Sequence, residues 1–291
     1  MKRNRVKLWA LAALFLATGS VSAREITVDR GAYALQAQES GSGAVTVVFE
    51  SGFGQGAGVW KDVITGLGED YHSIAYARAG LGKSGSNGQP KRIDEHLADL
   101  TAVIDTLAPG RKVVLVGHSY GGLLATEFAP RHPDHLQGLV LVDPATMGQR
   151  HAFRQADAAR IQADDTSLRA MLPPAMVADY AILIEQLDAP GAQTPQTMPD
   201  VPVALLTATQ IASEPLFFEE TAQGKALWKI QHALLFSGFT RGSHRYLDTG
   251  HNLHRENPAA VVSAIQSVSA RPWSPAGFCA CGTALEYVHI H

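Results

Sequence analysis

Short apolar runs alternate with amphipathic stretches through most of this sequence. Residues 45–49 are rich in β-branched side chains and residues 112–116 are almost wholly apolar, as expected of strands that are buried on both faces. Between these runs, positions 93 to 107 carry apolar residues at steps of three and four, which predicts an amphipathic helix. Strands that alternate with helices form βαβ units, so the sequence predicts an α/β fold with a mostly parallel central sheet flanked by helices.

The same pattern sets the predicted domain organisation. Further strands are expected at 33–38, 72–76, 139–142, 203–207 and 244–247, with a closing helix at 258–268. Residues 144–200 break the alternation, because they are rich in Ala, Gln and Asp and contain several prolines. We expect them to form a helical cap inserted into one domain that spans residues 24–270.

The N-terminal segment has a different composition from the rest of the chain. Residues 1–23 run from basic through a short apolar stretch to small residues, the pattern of a secretory signal peptide. The segment holds four of the 24 Lys and Arg residues, which leaves 20 basic against 27 acidic residues. We therefore expect a secreted or periplasmic protein with no membrane span in the mature chain, and an acidic chain of this kind is a poor nucleic-acid binder.

A G-x-S-x-G sequence, Gly117–Gly121, follows the apolar run at 112–116 and precedes a helical stretch at 123–129. A strand, a tight turn and a helix are what a nucleophile elbow requires, because the turn projects the serine hydroxyl out of the backbone. The positive end of the following helix favours negative charge beside it. The pattern predicts Ser119 as a nucleophile.

These residues, together with Ser51–Gly54, Arg78–Ser84 and Gly250–Asn252, resemble the α/β-hydrolase family, and in particular its serine esterases and lipases with an inserted cap. The resemblance covers roughly residues 25–270. It implies a catalytic triad in the order serine, acid, histidine, and an oxyanion hole formed by the backbone N–H groups of Phe53 and Tyr120.

The sequence departs from the family pattern at two loops. Ser51 stands where relatives usually carry histidine, a change that leaves the backbone donor available. Ala77 replaces the usual aspartate before Arg78, and we interpret the loop that follows as a structural turn whose arginine organises its neighbours.

The catalytic base must come from twelve histidines. The resemblance favours His251, which follows the last predicted strand and has Gly250 before it. His254, three residues on, is the main alternative. His118 adjoins the nucleophile and is expected to point elsewhere.

The acid of the triad has more than one candidate in the sequence. Many relatives place it after the strand at 203–207, but no carboxylate lies at 208–212, around Ile211. Asp143 ends the preceding predicted strand, and an aspartate there could hold the histidine in the required tautomer. Glu214, another acid, and a dyad without an acid remain open.

Other chemistries lack their sequence signatures. Family members that attack with aspartate, such as epoxide hydrolases and haloalkane dehalogenases, would need it where Ser119 stands. No metal-protease or nucleotide-binding motif occurs, so we expect no cofactor and no catalytic metal. In residues 271–291, Cys279, Cys281, His289 and His291 have spacings that are only weak signals of a metal site.

The sequence thus predicts a hydrolase that acts on a small-molecule substrate, a carboxylic ester or lactone, through an acyl-enzyme. One alternative is a peptidase or amidase that releases an N-terminal residue, with Asp164, Asp165 or Asp179 to hold the amine. The other is a non-catalytic binding protein with a degenerate triad. The sequence leaves the oligomeric state open.

Overall fold

An eight-stranded sheet organises the computed structural model, which describes residues 23–191 and 196–270. The signal peptide predicted at 1–23 lies outside these residues except for Ala23, and so does the tail at 271–291 with its cysteines and histidines. Within the described residues, no helix is both long and apolar enough to cross a bilayer.

The strands stand in the sheet in the order β1-β2-β4-β3-β5-β6-β7-β8. Their bounds are β1 (Arg24–Asp29), β2 (Ala34–Ser40), β3 (Val45–Glu50), β4 (Tyr71–Tyr76), β5 (Val113–His118), β6 (Leu136–Val142), β7 (Val203–Ala208) and β8 (Gly242–Leu247). Strand β2 pairs antiparallel with β1 and β4, and all remaining neighbours are parallel. The predicted mostly parallel sheet is confirmed, although the sequence pattern did not predict β1.

Helices cover both faces of this sheet. They are α1 (Lys61–Leu67), α2 (Ile93–Leu107), α3 (Tyr120–Arg131), α4 (Gln149–Met171), α5 (Pro174–Asp188), α6 (Ala222–Ser237), α7 (Leu253–Glu256) and α8 (Pro258–Ser269). The bounds of α2 are those predicted from its apolar spacing, and the Glu95 side chain accepts the Arg92 N–H at its start (2.9 Å). Helices α1 and α6 had no clear sequence pattern and were not predicted.

The core lies in two layers, one on each face of the sheet. Along β5, Val113 and Leu115 pack on the face that carries α2 and α3, whereas Val114 and Val116 pack on the face that carries α1 and α8. Because both faces are covered, the central strands are apolar at every position rather than at alternate ones.

The segment between β6 and β7 contains the predicted helical cap. It holds α4 and α5, which pack against each other, and α4 also contacts α6. Helix α4 is kinked at Asp157, whose φ of −157° is not helical, so the helix changes direction over the body of the fold. The cap thereby covers the carboxyl ends of the strands, where open α/β sheets bind their ligands.

Candidate active site

Ser119 occupies the turn between β5 and α3 in a strained backbone conformation. Its φ of 53° and ψ of −120° lie outside the regions that residues with a side chain normally occupy. The turn is held by the Ser119 N–H, which donates to the Val142 carbonyl (3.2 Å), and by the Gly122 N–H, which donates to the Ser119 carbonyl (2.9 Å). The half-buried side chain lines a cavity beneath the cap.

His251 follows β8 and lies between the other two predicted site residues. Its Nε2 is 2.9 Å from Ser119 Oγ, and its Nδ1 is 2.7 Å from Asp143 Oδ2. The structure therefore brings Ser119, His251 and Asp143 into one hydrogen-bonded chain. The His251 side chain is 32% exposed and the Asp143 side chain is fully buried, so the histidine is the member of the pair that a substrate can approach.

Asp143 directly follows β6 and has a positive φ of 43°, and its side chain points toward His251. Its second oxygen, Oδ1, accepts hydrogen bonds from the Ala208 N–H and the Trp228 indole N–H, both at 2.8 Å. Glu214, the alternative acid, is exposed in the loop after β7 and makes no hydrogen bond to His251.

The His251–Asp143 contact shifts both pKa values. Burial lowers the pKa of His251, but the hydrogen bond and charge of Asp143 and the charge of Glu219 outweigh it, and the net pKa is raised above 6.5. Burial raises the pKa of Asp143, but His251, His232 and Lys225 outweigh that effect, and the net pKa is lowered. Asp143 is thus ionised at neutral pH and stabilises a protonated His251.

The two predicted oxyanion donors border the cavity beside Ser119. Phe53 and Tyr120 both line it, and their rings meet edge to face with centroids 5.7 Å apart. Among the hydrogen bonds of the described residues, neither backbone N–H has a protein acceptor. Both donors are therefore available to a substrate oxygen.

Arg78 ties the loop that carries Phe53 to the sheet. Its buried guanidinium donates to the carbonyls of Ser51 (2.5 Å) and Gly52 (2.6 Å) and to the Glu50 carboxylate (2.5 Å). Ser51 accepts the Trp60 indole N–H at 3.0 Å, so it serves the structure of the loop. The arginine organises the neighbouring loop as the sequence interpretation expected.

Two further histidines pack behind His251. His118 Nε2 lies 2.9 Å from the His251 carbonyl and its Nδ1 lies 3.1 Å from Gln55 Oε1, so the ring supports the loop that holds His251. His254 is fully buried between the rings of His118 and Trp60, with centroids at 4.2 Å and 4.9 Å. Burial lowers the pKa of His254 to about 3, and no described residue hydrogen-bonds to its ring nitrogens.

The cavity over Ser119 has a volume of about 280 Å³ and a mostly apolar lining. Its walls come from the loop after β3, from α3, α4 and α5, and from the segment after β7: Phe53, Leu123, Phe153, Ile161, Leu168, Leu183, Leu187, Phe217 and Phe218. Such a cavity suits a small or medium apolar acyl group. No group of His, Cys, Asp or Glu in the described part of the chain could hold a metal ion.

Trp228 and Glu219 are not among the site residues predicted from the sequence. Trp228 lies on α6, which had no clear sequence pattern, and nothing in the sequence linked it to Asp143. Glu219 lines the cavity but lies in a 3₁₀ turn of three residues, Phe218–Glu220, which is too short to show a periodic pattern. A buried tryptophan usually needs an acceptor for its indole N–H, so the residue type indicates that a partner exists but does not identify it.

Comparison with known proteins gives several matches. A family model described as the alpha/beta hydrolase family matches residues 47–264. The uncharacterised protein YqjL of Bacillus subtilis is 24% identical over 243 residues, which cover 83% of this chain and 90% of that protein. Esterase Rv0045c of Mycobacterium tuberculosis is 42% identical over 130 residues, which cover 43% of this chain and 41% of the esterase. The crystal structure of a hydrolase from Pseudomonas aeruginosa PA01 matches with a TM-score of 0.61 at 14% identity, over 86% of this chain and 98% of that one.

Proposed function

This chain belongs to the α/β-hydrolase family, and from that membership we propose that it is a serine hydrolase that cleaves small carboxylic esters or lactones. The observation that carries the proposal is the hydrogen-bonded chain from Ser119 Oγ through His251 to Asp143, with contacts of 2.9 Å and 2.7 Å. Hydrolysis by a serine nucleophile needs a base to accept its proton and an acid to orient that base. Such a triad is recognised by its geometry. The similarity to a named esterase supports the choice of ester substrates.

In the proposed mechanism, Ser119 Oγ attacks the substrate carbonyl while His251 Nε2 accepts the hydroxyl proton. Asp143 accepts the Nδ1–H of His251, which keeps Nε2 free to act as the base and stabilises the imidazolium that forms. The N–H groups of Phe53 and Tyr120 donate to the oxygen that becomes negative in the tetrahedral intermediate.

The intermediate collapses when His251 returns the proton to the leaving alcohol, which leaves an acyl group on Ser119. Water then attacks the acyl carbonyl with His251 as base, and a second collapse releases the acid and restores Ser119. In a lactone the leaving alcohol stays attached to the acyl group, so the product is a single hydroxy acid.

A binding protein with a degenerate triad is the non-enzymatic alternative. This alternative rests on the absence of a carboxylate near Ile211 in the sequence. In our proposal Asp143 supplies that acid from the end of β6, and its two further hydrogen bonds, from Ala208 and Trp228, support its role as a fixed anion.

The test is Ser119→Ala, assayed on 4-nitrophenyl butyrate together with fluorophosphonate labelling. We expect kcat to fall by more than about 10⁴-fold, as for other serine nucleophiles, and labelling to disappear. Ser213→Ala, at an exposed serine on the loop after β7, is the matched control and should behave as the unmodified chain. Near-normal hydrolysis by folded Ser119→Ala protein would refute the proposal.

A further inference from the structure

The cavity over Ser119 is lined by three carboxylates, and two of them are fully occupied. Asp164 Oδ1 accepts the Arg160 Nε–H at 2.8 Å, and Asp164 Oδ2 accepts the Phe218 N–H at 2.6 Å. This aspartate was one of the candidates for holding a substrate amine. Each of its oxygens already accepts a hydrogen bond, and its charge is paired with Arg160.

Asp165 is occupied in the same way. Both of its oxygens accept hydrogen bonds from the Arg150 guanidinium, at 2.9 Å and 2.8 Å, and Tyr180 donates its hydroxyl to Oδ1 at 2.7 Å. Asp179, the third candidate from the sequence, accepts the Lys91 N–H at 2.9 Å. Asp164 and Asp165 are therefore engaged by arginines, and Asp179 does not line the cavity over Ser119.

Glu219 lines the same cavity but lacks such partners. Its half-buried carboxylate makes no hydrogen bond or ion pair with any residue that the structure describes. Burial raises its pKa, although the nearby charges of His251 and Lys225 act in the opposite direction. A carboxylate in this setting has unused acceptor capacity beside the proposed nucleophile.

The turn that carries Glu219 is held firmly in place. The Glu220 carboxylate accepts the N–H groups of Leu216 (2.7 Å) and Phe217 (3.1 Å), on the side before the turn. On the other side, Gly224 of α6 lies so close that a Cβ there would be 1.9 Å from the Phe218 carbonyl oxygen. The carboxylate of Glu219 is thus presented from a rigid support.

The local charge balance favours a cation in the cavity. Lys225 lowers the pKa of both Asp143 and Glu219, and no carboxylate oxygen in the described part of the chain forms an ion pair with it. One lysine therefore faces two carboxylates, while Asp164 and Asp165 each have their own arginine. When His251 is neutral, Lys225 offsets only one of the two negative charges of Asp143 and Glu219. One negative charge beside the nucleophile is then left without a counter-charge.

We propose that Glu219 is a specificity-determining residue that binds a protonated amine on the substrate, close to the carbonyl that Ser119 attacks. The inference builds on the proposed serine-hydrolase function and narrows the substrate class to esters of amino acids or similar amines with an apolar side chain. The apolar walls of the cavity take the side chain, and the carboxylate of Glu219 takes the ammonium group.

The experiment compares two esters that differ only at the ammonium group. They are the 4-nitrophenyl esters of L-phenylalanine and of 2-methyl-3-phenylpropanoic acid, in which a methyl group replaces the amine. At about pH 6, below the ordinary pKa of an α-amino group, the first is a cation. The protonation of His251 affects both esters alike and cancels in the ratio of their kcat/KM values.

We expect the unmodified enzyme to prefer the ammonium ester by at least about tenfold. Glu219→Gln should lower the ratio of kcat/KM for that ester to kcat/KM for the methyl isostere by roughly 10- to 100-fold, the range for a lost charge-assisted hydrogen bond. Glutamine has nearly the same shape, so the fold should be retained, which a thermal melt checks. Glu214→Gln, at an exposed carboxylate on the same segment, is the control and should not change the ratio.

Two results would overturn the inference. Equal loss on both esters would mean that Glu219 acts through His251 and does not bind the substrate. No preference for the ammonium ester in the unmodified enzyme, or a preference for the isostere, would exclude an amine subsite. Hydrolysis of the isostere that persists in Ser119→Ala would instead count against the proposed function itself, so the two failures are distinguishable.

Discussion

Ser119 and Asp143 both have a positive φ angle, which residues with a Cβ rarely adopt. Their φ angles of 53° and 43° are the only positive ones among the non-glycine residues that the structure describes. Such conformations cost on the order of 1–3 kcal/mol each and persist only where surrounding structure holds them. Here the Asp143 N–H donates to the Leu206 carbonyl at 2.7 Å, and β5 and α3 enclose Ser119. Both strained residues belong to the proposed triad.

Substitution of Asp143 tests whether it is the acid of the triad. Asp143→Asn should fold normally, because the amide oxygen can still accept from Ala208 and Trp228. The amide NH₂ would then face His251 Nδ1, favour the wrong tautomer and remove the charge that stabilises the imidazolium. We expect kcat for an ester to fall by up to about 10⁴-fold, as in a comparable protease variant.

Glu214→Gln is the comparison for that measurement, because Glu214 is the alternative acid. It should leave kcat within about twofold, since an exposed glutamate without a contact to His251 has little effect on it. If kcat of Asp143→Asn stays within a few-fold of the unmodified enzyme and kcat of Glu214→Gln collapses, the acid is assigned to the wrong residue. If neither variant matters, His251 works without a carboxylate.

The pH dependence of ester hydrolysis tests the protonation of His251. His251 must be neutral to accept the proton of Ser119, so activity is lost as the pH falls through its pKa. Because Asp143 raises that pKa above 6.5, the acid limb of kcat/KM for a neutral methyl ester should have its midpoint above 6.5. In Asp143→Asn the midpoint should move to lower pH. A pH-stat titration measures both profiles, and a midpoint below 6.5 in the unmodified enzyme would contradict the assignment.

At the scale of elements, the position of Ser119 depends on how closely α3 approaches the sheet. A Cβ on Gly121, in the first turn of α3, would lie 2.2 Å from the Glu50 carbonyl oxygen at the end of β3. The second glycine of the G-x-S-x-G sequence is thus required for contact between helix and strand. The motif therefore allows α3 to pack closely against β3, in addition to forming the turn that carries Ser119.

Gly121→Ala tests this contact. The added methyl group must push α3 away from β3, and overpacking of this kind costs about 1–3 kcal/mol. For a chain of this size we expect the melting temperature to fall by on the order of 2–10 °C, with a loss of ester hydrolysis. Gly58→Ala is the control, because a Cβ there would have no atom of the described residues within 4 Å outside its chain neighbours and its own helical turn. A Gly121→Ala protein with unchanged melting and activity would show that the elbow tolerates a wider spacing.

At the scale of the whole molecule, the described fold begins where the signal segment is expected to end. Strand β1 starts at Arg24 and pairs along its length with β2, so removal of residues 1–23 would leave every strand of the described sheet intact. We propose that the chain is exported and cleaved at or near Arg24.

The measurement for export is N-terminal sequencing of the protein recovered outside the cytoplasm. It should begin at or near Arg24. Ala23→Phe, which puts a large residue at the cleavage site, should retain the uncleaved form. Full-length protein with Met1 in a soluble cytoplasmic fraction would exclude the proposed localisation.

The parts of this protein that the sequence by itself determined are those encoded in local patterns. The apolar runs determined the central strands and their burial on both faces, and the spacing of apolar residues at 93–107 determined α2. The G-x-S-x-G sequence between a strand and a helix identified the elbow. These signals are readable because neighbouring residues in the chain share one element, and its periodicity appears directly in the sequence.

Only the tertiary structure decided what meets around His251. Asp143 and Glu214 were both possible acids by chain order, and it is the side-by-side pairing of β6, β7 and β8 that brings Asp143 within 2.7 Å of His251. The same is true of Trp228 on Asp143 and of Glu219 in the cavity, because α6 and the turn before it had no periodic pattern. Residues far apart in the chain become neighbours through strand order and loop packing, and no local pattern records which of them will touch.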